Sequence, residues 1–205
     1  KDYKIDISGI EQNNIDTTTV IAFIDPTGNH SRVVLPANNI IDSVPLSWNK
    51  SIKDADFVFL SGFTCIELKR EIILEILDIA KRAKVAIVFD PQNAISVIDD
   101  EILLSVLKLT KILTINEEEK QTLDLRLKKQ GVAEMASNII VIIRMGEKGA
   151  KAILEGVIHE APAFPVKPKN RLGAGDCFNG AILLGLHFGF PLDDILFLGN
   201  AVASI

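Results

Sequence analysis

Val85-Ala86-Ile87-Val88-Phe89-Asp90-Pro91 is an uninterrupted apolar run closed by an acid and a proline. A strand with one wet face alternates apolar and polar residues. A short run with no polar residue instead fits a strand buried on both faces, as in a parallel sheet covered by helices. Just upstream, Phe57 to Leu60 is a second short apolar run, followed by Gly62. Between the two runs, Glu67 to Ala83 has helical spacing, with Ile72, Ile73, Ile76, Leu77 and Ala80 on one face. The three pieces make a strand–helix–strand unit.

The same rhythm continues toward the C-terminus. A helical stretch covers Ile102 to Leu107, Ile112-Leu113-Thr114-Ile115 is extended, a polar helix begins near Glu117, and Ile139 to Ile143 is again strongly apolar. This alternation predicts an α/β fold with a mainly parallel sheet flanked by helices. Gly146 to Gly149 and then Glu155-Gly156 can turn the chain through Ala150 to Leu154 and Val157 to Glu160, which predicts an antiparallel edge near residues 150–166. Gly173 to Asp176 opens a helix reaching about Phe188, and Pro191 introduces another, expected to be still running at Ile205. Toward the N-terminus, the β-branched segment Thr17 to Ile24, the turn chemistry of Asp25-Pro26-Thr27-Gly28 and the extended Ser31 to Leu35 read as a hairpin.

With 205 residues, 48% of them apolar and 24% charged, the chain suits one globular domain with a sizeable core, residues 1–205. A net charge of -5 with Lys and Arg scattered along the chain offers no basic stripe, which argues against nucleic acid as a partner. Ala181 to Phe190 is interrupted by His187 and is too short to cross a bilayer, so no membrane partner is expected. Cys65 and Cys177 lie far apart and suggest no disulfide framework or close-spaced metal site, and no leader pattern follows Lys1. Both features fit a cytoplasmic protein. His30, His159 and His187 have no ligand spacing and read as structural or surface residues, and Cys177 reads as a small packed residue.

The chemistry concentrates in Leu172-Gly173-Ala174-Gly175-Asp176-Cys177-Phe178-Asn179-Gly180. Small residues before a helix let the main chain approach an anion, and the first amides and the helix dipole stabilise negative charge there. Asp176 at that helix start could take a proton from a hydroxyl while neighbouring amides hold a transferring phosphoryl group. The bare pattern fits a tight turn with an aspartate cap equally well. No G-x-x-x-x-G-K-[ST] loop is present, and Phe178 stands where a dinucleotide fingerprint needs glycine.

Leu172 to Phe178 and the small-residue-rich helix after it resemble the GAGD signature of the ribokinase-like, or PfkB, family of carbohydrate and nucleoside kinases. Other blocks agree in order. Asn116-Glu117-Glu118-Glu119 resembles the family's N-x-x-E element, Ile143 to Gly149 its nucleotide-binding strand and turn, the hairpin with Thr17-Thr18-Thr19 its lid, here residues 1–36, and Asp90-Pro91 its D-P-N element. The resemblance implies ATP-dependent phosphoryl transfer to a hydroxyl of a sugar or nucleoside. Asp176 would be the base, and Gly173, Ala174 and Gly175 the anion hole. Arg144, Gly146 and Gly149 would lie at the nucleotide, with Asp90 on the substrate side. Asn116 and Glu119 would support Mg2+ directly or through water, in keeping with that ion's preference for oxygen ligands and retained waters. The lid's Val20, Ile21, Ala22, Phe23, Val33, Val34 and Leu35 carry enough apolar surface to close over substrate and to pair with a second copy, which makes a homodimer an expectation.

The chain also departs from the pattern. Arg144 stands where the family often has Thr or Lys, a position that suits either a phosphate contact or a solvated arginine. Gln92 replaces the usual Asn. Asn170-Arg171 replaces an Asp-Thr pair whose Asp helps hold a monovalent cation in relatives, which leaves a cation requirement open and admits a sugar-phosphate kinase as an alternative. The family's opening strand and last adenine-pocket segment are not matched, so the chain reads as incomplete at both ends. A truncated, non-catalytic nucleotide-binding or interaction module is the other alternative.

Overall fold

The apolar runs become strands in the order the sequence presents them. The computed structural model describes residues 5–10, 17–25, 30–35, 41–127, 139–166 and 172–204. Among the described residues, strands β1 (Thr19–Ile24) and β2 (His30–Leu35) form a two-stranded sheet of their own. A six-stranded sheet follows in simple chain order: β3 (Phe57–Ser61), β4 (Ala86–Asp90), β5 (Thr110–Asn116), β6 (Ile140–Arg144), β7 (Ala150–Leu154) and β8 (Val157–Ala161). The first four of these are parallel, and β7 and β8 run antiparallel. This is the mixed α/β architecture expected, with the antiparallel edge ending at Ala161 rather than near 166.

Both faces of the central strands are covered, which is why their sequences do not alternate. Ile87, Phe89, Leu113, Ile115, Val141 and Ile143 point to a core built with α3 (Arg70–Ala83), α4 (Asp100–Leu109) and α5 (Glu117–Leu127). The intervening Val88, Ile112 and Ile142 point the other way, to α6 (Ala174–His187) and α7 (Leu192–Ala203) through Phe178, Ile182, Ile195 and Leu196. Phe89 is fully buried between β5 and the helices. Its truncation to alanine would remove about 3–5 kcal/mol, a large part of the roughly 5–15 kcal/mol that stabilises an ordinary domain.

Two local expectations are corrected. The helix read from Glu67 to Ala83 is α3, which begins only at Arg70, and Glu67 instead closes a separate upstream helix, α2 (Gly62–Glu67), whose Phe63 amide donates to the Ser61 hydroxyl. Leu68 and Lys69 between them are extended, at ψ 151° and 145°. Helix α7 is described to Ala203, where the Ser204 hydroxyl donates to the Ala201 carbonyl, and Ile205, to which the helix was expected to run, lies outside the described residues. Cys177 is exposed rather than packed, because it lies on the outer side of the first turn of α6 while its neighbours Phe178 and Asn179 are buried. Two helices escaped the sequence, α2 and α1 (Leu46–Asp54); α1 contains no buried residue and packs through Trp48 and Ile52 onto α3.

The hairpin register runs from Thr19 opposite Leu35 to Ile24 opposite His30. Val20, Ile21, Phe23, Ile24, Val33, Val34 and Leu35 are all exposed, so both faces of the ribbon present apolar side chains. The turn residues Pro26, Thr27 and Gly28 lie outside the described residues. Among the described residues, no helix is long and apolar enough to cross a membrane.

Candidate active site

Parallel strands deliver their C-terminal residues to one edge, and in such sheets ligands bind outside that edge. Here the last residues are Asp90 of β4, Asn116 of β5 and Arg144 of β6. With Gly173 to Asp176 they line a cleft of about 490 Å³. The site residues expected from the sequence are thus brought together, although up to 86 residues separate Asp90 from Asp176 along the chain.

Helix α6 enters this cleft with an open end. Gly173 is its N-cap, in the left-handed conformation at φ 86°, and no side chain caps the helix. The amides of Ala174, Gly175 and Asp176 have no acceptor within the helix, and the Cys177 amide is the first to bond back, to the Gly173 carbonyl at 2.9 Å. Asp176 is therefore not the cap. It is the third helical residue, exposed on the cleft wall, where its Oδ1 accepts a 3.4 Å bond from Gln92 Nε2.

Helix α5 meets the same cleft with a closed end. The Asn116 side chain accepts from the Glu119 amide at 2.8 Å, and Glu119 Oε2 accepts from the Asn116 amide at 2.8 Å, the reciprocal arrangement of a capping box. Glu119 Oε1 accepts a further bond from Asn116 Nδ2 at 2.9 Å. The N-x-x-E spacing thus has a local structural cause. Yet Glu119 is 5% exposed, far more buried than a capping acid needs to be.

Its burial is explained by Arg144. The guanidinium forms a two-point contact with Asp90, at 2.8 and 3.4 Å, and reaches Glu119 Oε2 at 3.2 Å, Asn179 Oδ1 at 3.1 Å and Thr114 Oγ1 at 3.3 Å. Asp90 has all its acceptor positions in use, because Asn179 Nδ2 and the Gln92 amide also donate to it, at 2.5 and 3.1 Å. Thr114 closes the ring by donating to Asn179 Oδ1 at 2.9 Å. Two carboxylates share one guanidinium. Burial pushes the Glu119 carboxyl above the usual range, a tendency that the Asn116 amide and Arg144 oppose and Asp90 reinforces. Burial also opposes the charge on Arg144, but Asp90, Glu119 and Asp176 outweigh it and hold the guanidinium firmly cationic. Arg144 is therefore neither a solvated surface arginine nor an open one.

The opposite end of the cleft is shaped by the turn after β6. Gly146 and Gly149 have φ of 59° and 96°, and a Cβ on Gly149 would lie 2.1 Å from the Ala161 carbonyl oxygen, so this turn requires glycine on both counts. Asn200 of α7 donates to the Ala161 and Pro162 carbonyls at 3.0 Å, fixing the strand exit beside Phe164. Among the described residues, no group of three His, Cys, Asp or Glu could hold a metal ion by itself.

A family model for pfkB family carbohydrate kinases matches residues 1–205. The chain belongs to the pfkB family. It is similar to the uncharacterized sugar kinase YegV of Escherichia coli, 27% identical across 97% of this chain and 63% of that protein. Similarity extends to the ribokinase of Lactococcus lactis, 27% identical across 93% of this chain and 61% of the relative. Among solved structures, the nucleoside kinase of Burkholderia thailandensis in complex with inosine superposes with a TM-score of 0.76 at 19% identity, over 93% of this chain and 62% of that one. Arabidopsis thaliana ribokinase, complexed with ribose and ATP, gives 0.75 at 20% identity, over 94% and 63%. These likenesses establish the ribokinase-like fold. The chain spans less than two thirds of the length of each of these proteins.

Within this pfkB domain the sequence pointed to the cleft residues but not to Thr114, Asn179 and Gln92 as members of one hydrogen-bonded group. A signal existed for two of its charges: Asp90 and Arg144 each end an apolar strand run, with opposite signs. Asn170 and Arg171 lie outside the described residues. His159 and His187 do not belong to the site, since His159 pairs with Asp193 and His187 with Asp56, both at 3.1 Å.

Proposed function

We propose that this chain is the part of a pfkB kinase that transfers the terminal phosphoryl group of ATP to a hydroxyl of a sugar or nucleoside. The observation that carries the reading is the open N-terminus of α6, with Asp176 exposed at its third position on the cleft wall. Asp176 accepts the proton of the attacking hydroxyl. The freed oxygen bonds to the γ-phosphorus in line with the bond that breaks, and ADP departs with the bridging oxygen. Charge spread over the transferring group is stabilised by the amides of Ala174, Gly175 and Asp176.

The nucleotide would lie along the turn of Gly146 and Gly149, with Arg144 at its base and Phe164 and Ser204 on the far wall. The acceptor would sit toward Gln92, Asn93 and Phe63, on the Asp90 side. Direct metal coordination would compete with the bonds that Asn116 and Glu119 already make, whereas hydrogen bonds to metal-bound water fit them. These two residues would hold Mg2+ in that way, with nucleotide phosphates as its inner ligands, and the ion would neutralise phosphate charge. The apolar hairpin would close over the acceptor and, with its second face, pair with another copy; a monomer by light scattering would exclude the pairing. Two free thiols, Cys65 and Cys177, accord with a reducing cytoplasm.

The test is magnesium-dependent ADP release over a panel of sugars, sugar phosphates and nucleosides, with Asp176→Asn as control. One acceptor should stimulate release, and the variant should lose roughly 100- to 10,000-fold in turnover while keeping its fold. Full activity in Asp176→Asn would refute the base, and silence across the panel with the intact protein would refute the kinase reading.

A further inference from the structure

We infer that Arg144 is a positioning residue: it holds α6, and with it Asp176, in register with the ends of β4 and β5, rather than reaching out to nucleotide phosphate. The inference rests on Asp176 being the base, as proposed above. Its own evidence is the way the arginine's donors are used. The two η nitrogens carry four N–H groups, and they face five acceptor atoms, on Asp90, Thr114, Asn179 and Glu119. The side chain is 15% exposed, against 1% for Asp90 and 6% for Glu119. A phosphate oxygen could take a bond from these η nitrogens only by displacing an acceptor they already hold.

The partners lie on different elements, and two routes lead from them to Asp176. Asn179 stands three residues after Asp176 on the same helix, so fixing its amide fixes the rotation of α6 about its axis. That amide is held from three sides: Nδ2 donates to Asp90 at 2.5 Å, and Oδ1 accepts from Thr114 at 2.9 Å and from Arg144 at 3.1 Å. The second route passes through Asp90 to the Gln92 amide at 3.1 Å and from Gln92 Nε2 to Asp176 Oδ1 at 3.4 Å. Gln92 holds a left-handed backbone at φ 50°, which a long side chain adopts only when its surroundings impose it. Buried ion pairs contribute little net stability, and their best attested use is to set registry. At this place the registry set is that of the base and the anion-binding amides relative to the sheet edge.

Complete removal of the charge would strand two buried carboxylates, so the test uses Arg144→Lys, which keeps the charge without the planar fork, and Asn179→Ala, which is neutral. Three quantities are compared with the parent protein: turnover with the stimulating acceptor, the dissociation constant of Mg·ATP by calorimetry, and the alkylation rate of the exposed Cys177 by iodoacetamide. A loss of registry lowers turnover about 10- to 100-fold in both variants and leaves Mg·ATP affinity within about threefold. Alkylation of Cys177, in the first turn of α6, becomes faster in both. A weakening of Mg·ATP binding in Arg144→Lys alone, with turnover at saturating ATP retained, would overturn the inference in favour of a direct phosphate contact. If the parent protein gives no ADP release, the kinase reading falls by itself and the thiol rate decides the registry: equal rates in all three proteins overturn it.

Discussion

Helices α5 and α6 bring two N-termini to one cleft, and they are finished in opposite ways. In α5 the amides of Asn116 and Glu119 are satisfied by each other's side chains, and the Glu119 carboxylate also takes a bond from Arg144. In α6 the cap is a glycine with no side chain, and its first amides have no acceptor within the helix. A helix dipole favours anions at both ends alike. The difference lies in whether the amides are already occupied, and that separates the end that can receive a phosphoryl group from the end that holds the sheet edge together.

The sharpest way to break this contrast is to disturb the open end. A Cβ on Gly173 meets no atom within 4 Å, so Gly173→Ala acts through the left-handed backbone alone. It should reduce turnover about 100-fold by moving the amides, while the stability cost, read by denaturant unfolding, stays at about 1–2 kcal/mol. A variant with undiminished turnover would remove the anion hole from the account. At the closed end the balance reverses. Asn116→Ala should cost about 1 kcal/mol in stability and change the affinity for nucleotide less than Gly173→Ala does; an intact melting temperature would mean that the cap is idle.

The smallest effect concerns the acid that the closed end buries. Glu119 has a raised pKa in the folded protein, chiefly from burial, so the folded state holds its proton more tightly than the unfolded chain does. Stability from this group therefore falls as pH rises from the ordinary glutamate range through the raised value. Denaturation midpoints measured from about pH 4 to about pH 7 should show a shallower decline for Glu119→Gln than for the parent. Parallel profiles would show that its burial is fully compensated.

Much of this architecture can be read from the chain, for particular reasons. Val85 to Phe89 and Ile139 to Ile143 are apolar without interruption because both faces of β4 and β6 are covered, and that signal depends on no distant residue. The helix read from Glu67 to Ala83 was legible by its face but not by its start at Arg70, because the extended Leu68-Lys69 link before it is set by capping geometry rather than by hydrophobic spacing. Helix α1 left no trace, since it buries nothing fully. In the site, Gly173 to Asp176 and Asn116 to Glu119 are local patterns and were found. The Arg144 cluster was not, because its partners stand 54, 35, 30 and 25 positions away and meet only when β4, β5, β6, α5 and α6 converge.

The central claim, that the open end of α6 receives the phosphoryl group, is tested most directly by following backbone amide resonances while titrating Mg·AMPPNP into the isotopically labelled protein. The amides of Ala174, Gly175 and Asp176 should shift strongly and saturably, while those of Asn116 and Glu119 move little. Large shifts at Asn116 and Glu119 with none at Ala174 to Asp176 would contradict the account and move the phosphate to the other helix.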